Sequence, residues 1–131
     1  MSSVERLDAK SKTSELASYS RAVKVGDFIF VSGTLGRNSE GDIPNVGDAG
    51  GQTEIILQRI ENALKEMNAG LDDVVETRIF VADIKKWEGV GVVHGKAFRK
   101  AMPATTLLQV SGFAHPEALV EISAIAYSPR S

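Results

Sequence analysis

The stretch "MPATTLLQVSGFAHPEALVEISAIAY", Met102 to Tyr127, sets the terms on which the rest of the chain is read. It holds two strand-like runs separated by a short turn-forming segment, and it reads as a hairpin. In the second run Glu121, Ser123 and Ile125 alternate onto one face, while Val120, Ile122 and Ala124 take the other. A carboxylate in the middle of an apolar strand is costly to bury without partners, so Glu121 faces water, pairs with another group or works at a site. In the first run Thr105, Leu107 and Gln109 share one parity, and Thr106, Leu108 and Val110 the other. Which of these sets meets Glu121 depends on the hairpin register.

Upstream, "ASYSRAVKVGDFIFVSG" reads as a strand, a turn at Gly26-Asp27 and a second strand from Phe28 to Ser32. "TLGRNSEGDIPNVGDAGG" is dense in turn formers and reads as a long loop of the functional kind. From about Asp48 to Asn68, Ile56, Ile60, Ala63 and Met67 recur at helical spacing with Glu54, Gln58, Glu61 and Lys65 on the other side. Gly70 is expected just past the end of this amphipathic helix. "VVETRIFVA" predicts a strand with Val75, Thr77, Ile79 and Val81 on one face. Asp83 is placed to cap a second helix carrying Trp87, Val90, His94 and Phe98 on one stripe. Gly89, Gly91 and Gly95 each cost that helix about 1 kcal/mol relative to alanine, so they permit close packing or mark a weak helix.

The elements run ββαβαββ, an α+β pattern in one domain over residues 1–131, with residues 1–12 a polar N-terminal leader. "FIFVS" and "LVEISAIAY" are apolar on both faces, yet two helices cover only one face of a mostly antiparallel sheet. A second copy of the chain is expected to cover the other.

Composition narrows the function classes. With 43% hydrophobic and 24% charged residues the chain is an ordinary globular one, and its net charge of -2 includes no basic block of the kind a phosphate backbone needs. Nucleic acid is therefore a poor partner. The absence of cysteine excludes disulfides, thiolate nucleophiles and cysteine-ligated zinc. No run of about 18 apolar residues predicts a membrane span, and "MSSVERLDAKSK" has no apolar stretch of signal-peptide length, so a cytoplasmic location is expected. His94 is expected to pack on its helix stripe and His115 to lie exposed in a turn. Two lone histidines without a third ligand speak against a metal site. No G-x-S-x-G elbow supports a hydrolase triad, and "GGQTE" lacks the Lys-Ser/Thr ending of a P-loop.

Three motifs carry a resemblance. "Y-x-x-A-x-x-x-G-x-x-x-x-x-S-G" from Tyr19 to Gly33, "ETRIFVAD" from Glu76 to Asp83 and "PATTLLQV…LVEISAIA" from Pro103 to Ala126 resemble the reactive intermediate deaminase family, also called Rid or YjgF-type and formerly endoribonuclease L-PSP-like. The resemblance spans nearly the whole chain. It implies a chorismate-mutase-like α+β fold, a homotrimer with a small-molecule cleft at each subunit interface, and hydrolysis of enamines and imines such as 2-aminoacrylate to a keto acid and ammonia. It implies no metal and no organic cofactor.

Carried over residue by residue, the resemblance makes Tyr19 and Glu121 the catalytic pair, with Glu121 positioning or activating the attacking water. It assigns Ser32, Gly33, Thr105 and Leu107 to substrate binding. Thr105 stands where the deaminating members have arginine, Leu107 where many have cysteine, and Gly91 where many have asparagine. An arginine fork grips a carboxylate through two charge-assisted bonds, and losing one such bond costs about 1.5–3 kcal/mol. Arg37, in the long loop, is the cation available to replace it. The expectation is an enamine or imine deaminase weak or inactive on 2-imino acids, acting on a substrate that no arginine–carboxylate pair anchors. The alternative is a non-catalytic ligand-binding or regulatory homologue. A ribonuclease or translation inhibitor fits this acidic chain poorly.

Overall fold

In the computed structural model, which describes residues 4–129, the chain runs β1 (Val4–Leu7), α1 (Lys12–Ala17), β2 (Ala22–Val25), β3 (Phe28–Leu35), α2 (Ala49–Glu66), β4 (Val74–Val81), α3 (Trp87–Ala97), β5 (Ala104–Gln109) and β6 (Val120–Tyr127). Short 3-10 turns at Leu71–Asp73 and Ile84–Lys86 precede β4 and α3. The α+β class holds, and the expected ββαβαββ run is found from β2 onward. The segment read as a polar leader instead contains β1 and the start of α1. β1 is an edge strand with one neighbour, so no buried face imprints alternation on its sequence. α1 is announced only by Ser11, whose Oγ accepts the Ser14 N–H at 3.1 Å while Ser14 Oγ accepts the Ser11 N–H at 3.2 Å.

One mixed sheet holds all six strands in the order β1-β2-β3-β6-β4-β5. The expected hairpin between the last two strands does not form. β6 inserts between β3 and β4, antiparallel to both, while β5 lies outside β4 and parallel to it. The physical reason lies in the side chains. β6 buries Val120, Ile122, Ala124 and Ala126 and suits a central position, whereas β5 is largely exposed and suits an edge. A parallel neighbour requires a crossover, which α3 supplies.

α2 and α3 pack on one face of the sheet. Ile56, Ile60 and Leu64 from α2 and Val90 from α3 are fully buried with Ile29, Val31, Ile79, Val81 and Ile122. Asp48 caps α2 by accepting the Gly51 N–H at 2.9 Å. Asn68 (φ 60°), not Gly70, takes the left-handed residue after α2; Gly70 instead opens the Leu71–Asp73 turn, donating to Asp73 Oδ2 at 2.9 Å. Asp83 caps the Ile84–Lys86 turn leading into α3, and within the expected stripe Trp87 remains 52% exposed. A methyl group on Gly89 or Gly95 would meet nothing within 4 Å, so these glycines mark a weak helix. A bulge between Val74 and Glu76 exposes Val75, which alternation had placed inside, and buries Val74.

The sheet's other face carries Val25, Phe28, Phe30, Ile125 and Tyr127, with no helix of the described chain over it. Phe28 and Phe30 stay 44% exposed, and the rings of Phe28 and Tyr127 lie 5.1 Å apart.

Candidate functional site

Glu121 lies on this open face, directly opposite Leu35 of β3 and Phe80 of β4. The β3–β6 register slips between Val31 and Thr34, which sets Ser32 and Gly33 in an irregularity beside it. Arg21 holds that irregularity in place: its Nη2 donates to the Ser32 carbonyl at 3.2 Å and to Thr34 Oγ1, while Ser32 Oγ donates to the Ser20 carbonyl at 2.7 Å. Gly33 then faces the carboxylate. A β-carbon there would come within 2.9 Å of Glu121 Oε2. Burial pushes the Glu121 carboxyl above its usual range, and the Arg37 charge pulls it partly back. Among the described residues no donor hydrogen-bonds to this carboxylate and no ion pair holds it.

Three arginines flank this end of the sheet. Arg59 Nη1 donates to the Leu35 carbonyl at 2.7 Å, and Arg37 Nη1 reaches the Gly41 carbonyl at 3.4 Å. Burial, with the like charge of Arg59, lowers Arg21 to about 10. Burial, with the like charge of Arg37, lowers Arg59 as well. Arg21 and Arg59 line a cleft of about 280 Å³ on the helix side with Lys10, Asp8 and Asn62. Tyr19 lies by these two arginines; its hydroxyl donates to Thr13 Oγ1 at 3.1 Å.

Gln52 was not anticipated. It is fully buried; its Nε2 donates to the carbonyls of Asn45 and Glu117 at 3.0 and 3.1 Å, and its Oε1 accepts the Leu119 N–H at 2.8 Å. Its signal was a polar residue four before Ile56 on the apolar stripe of α2. Arg21 and Arg59 left no pattern, since a single charge in an apolar run carries no periodicity.

Thr105 and Leu107 lie elsewhere. In the parallel register Thr105 faces Thr77, hydroxyl to hydroxyl at 2.9 Å, and Leu107 faces Ile79 and packs against the main core. That is the helix-covered face, opposite to the one carrying Glu121, and two strands away from it. The fold therefore gathers Ser32, Gly33, Arg37 and Glu121 at one place, sets Tyr19 by the arginines, and leaves Thr105 and Leu107 apart. His94 packs as expected, half-buried, its ring 4.6 Å from that of Phe98, and burial lowers its pKa. A β-carbon on Gly91 would meet only the Trp87 ring, at 3.7 Å. Among the described residues no three metal-ligating side chains converge, and no helix is long and apolar enough to cross a membrane.

Residues 10–128 match the family model for endoribonuclease L-PSP. The chain is 34% identical over 112 residues to the 3-aminoacrylate deaminase RutC of Acinetobacter baylyi, covering 86% of this chain and 88% of that protein. It is 36% identical to a RutC family protein of Pyrococcus abyssi, over 83% of this chain and 85% of the relative. Among solved structures it superposes with a TM-score of 0.84 and 42% identity on Rv2704 of Mycobacterium tuberculosis, a member of the YjgF/YER057c/UK114 family, covering 95% of this chain and 99% of the other.

Proposed function

The chain belongs to the endoribonuclease L-PSP family, the Rid or YjgF-type proteins, and from that premise we propose that it is a homotrimer that binds a small enamine or imine in a cleft between copies and hydrolyses it. The observation that carries the proposal is Glu121: a desolvated carboxylate with no hydrogen bond among the described residues, seated against Gly33 with Arg37 as its nearby charge. Such a group is suited to general-base work because burial lifts its pKa toward the working range. The Acinetobacter relative, named as a 3-aminoacrylate deaminase, supports the same reaction class.

In the proposed reaction the enamine first becomes its imine tautomer. Glu121 takes a proton from water as the water oxygen bonds to the imine carbon and the C=N electron pair moves to nitrogen. Glu121 then returns that proton to the nitrogen of the tetrahedral adduct. Glu121 next takes the hydroxyl proton and passes it to the same nitrogen as the C–N bond breaks; the O–H electrons form the carbonyl, ammonia leaves and the carboxylate is restored. Tyr19, Ser32, Gly33 and Arg37 would orient the substrate and the carboxylate. Thr105 and Glu121 face opposite sides of one sheet, so a cleft that holds both takes them from different copies; the apolar face around Phe28, Phe30 and Tyr127 provides the contact. With threonine at position 105 the substrate is not held there by a carboxylate.

One observation favours a second reading, ligand binding without chemistry: the Thr105 hydroxyl is already engaged inside its own chain. The two separate in an ammonia-release assay on imines with and without a carboxylate, using wild type and Glu121→Gln. Loss of about 10²–10⁴ in kcat with Glu121→Gln supports the hydrolase. Equal turnover by both proteins overturns the role of Glu121, and inertness toward the whole panel favours the binding reading.

A further inference from the structure

Arg21 and Arg59 bring more charge to the helix-side cleft than their contacts use. Arg21 Nη2 donates to the Ser32 carbonyl and Thr34 Oγ1, and Arg59 Nη1 donates to the Leu35 carbonyl. The rest of both forks is unbonded: Arg21 Nε is enclosed with no partner, while Arg21 Nη1 and the Nε and Nη2 of Arg59 have no partner and are not enclosed. A carbonyl needs only a donor, which a neutral amide also supplies. It gives no reason to bring two cations together, and these two oppose each other, burial and the like charge of Arg59 both lowering Arg21. The acids nearby do not compensate. Asp8 Oδ1 accepts the Lys10 N–H at 2.8 Å, and neither Asp8 nor Glu66 forms an ion pair; among the described residues the pair formed is Glu76 with Arg78.

We propose that this cleft binds a small organic oxyanion, a phosphate monoester or a dicarboxylate, whose oxygens accept from the unbonded N–H groups of Arg21 and Arg59 with Lys10 at the rim. The volume of about 280 Å³ lies just below the range of about 300–1,000 Å³ usual for small-molecule sites. Against the three cations stand Asp8 and Glu66, so the excess charge of the lining is positive. Guanidinium forks match the paired oxygens of carboxylate and phosphate groups. Leu7 and Ala63 give the cleft an apolar wall for the ligand's carbon atoms. An anion between the arginines would relieve the opposition of their charges. The site lies between α2 and the end of β1 and does not depend on the hydrolase reading of Glu121.

The test titrates glycerol 3-phosphate and succinate into the full-length protein at constant ionic strength, with chloride as the control, while the NMR signals of the Arg21 and Arg59 Nε–H groups and the Ala63 amide are followed. At least one probe should shift these signals saturably where chloride does not, and which one does so assigns the ligand class. Arg59→Gln should weaken that binding about ten- to a hundredfold, the loss of one charge-assisted bond. Lys10→Gln should weaken it about two- to fivefold. Lys10 is exposed and bonded only through its backbone N–H, so this second variant keeps its fold and decides the matter should Arg59→Gln not fold. Lys96→Gln, exposed on α3 outside the cleft, should leave binding unchanged. Glu121→Gln should do the same, so the site stands even if the hydrolase reading falls. No saturable shift with either probe overturns the proposal. Shifts that chloride reproduces, or that neither Arg59→Gln nor Lys10→Gln weakens, overturn it as well.

Discussion

Glu121 lies so close over Gly33 that any side chain at 33 would press on its carboxylate, with a β-carbon 2.9 Å from Oε2 and 3.0 Å from the carboxyl carbon. The obstructing atoms are the far end of a flexible side chain, not backbone. Gly33→Ala should therefore fold with stability within about 1 kcal/mol of wild type, yet displace the carboxylate. The expected outcome is a thermal midpoint within a few degrees of wild type with imine hydrolysis slowed about ten- to a hundredfold, the upper figure being what a 1 Å misplacement can cost. Full activity would mean the carboxylate works in another position.

Arg37 opposes the effect of burial on Glu121. Removing its charge in Arg37→Gln leaves burial unopposed, so the carboxyl should rise further. The base is then ionised only above a higher pH, and the acid limb of the kcat/KM profile moves upward. A pH series on both proteins checks this. A downward shift would show that Arg37 acts on something other than Glu121.

His94 couples the fold to pH. Burial lowers its pKa from the usual 6.5, so below that value the unfolded chain binds a proton that the folded chain resists. Stability should thus be fully present above about pH 6.5 and decline as the pH falls through the range below it. His94→Gln keeps a hydrogen-bonding group for Thr77 Oγ1 and removes the titration. Its thermal midpoint should fall less than that of wild type between neutral pH and pH 5.

The open sheet face should be the contact between copies. Phe30 projects from it, 44% exposed, beside a shallow depression shared with Ser123 and Ile125. Phe30→Asp would bury a charge in that contact, and sedimentation should show wild-type trimers giving way to monomers. A variant that remains trimeric would locate the contact elsewhere.

Much of the candidate site was legible because burial writes alternation into a central strand. "LVEISAI" places Glu121 away from the helices by placing Val120, Ile122 and Ala124 toward them. The pairing of β5 with β6 was misread for a related reason. Two apolar runs adjacent in sequence look like a hairpin, and nothing local in "ATTLLQ" marks a partner on the far side of a helix. β1 escaped notice because an edge strand need not alternate. Arg21 and Arg59 matter through backbone carbonyls of β3, at Ser32 in its irregularity and at Leu35 at its end, and hydrogen bonds to carbonyls leave no residue pattern to read.

Gln52 has a mechanical consequence. One buried amide is bonded to Asn45 in the loop before α2 and to Glu117 and Leu119 in the segment before β6. These loops flank the Glu121 end of the sheet from opposite directions along the chain. Joined through one side chain, they cannot swing apart singly: whatever widens the approach to the carboxylate must carry both loops or break that amide's hold.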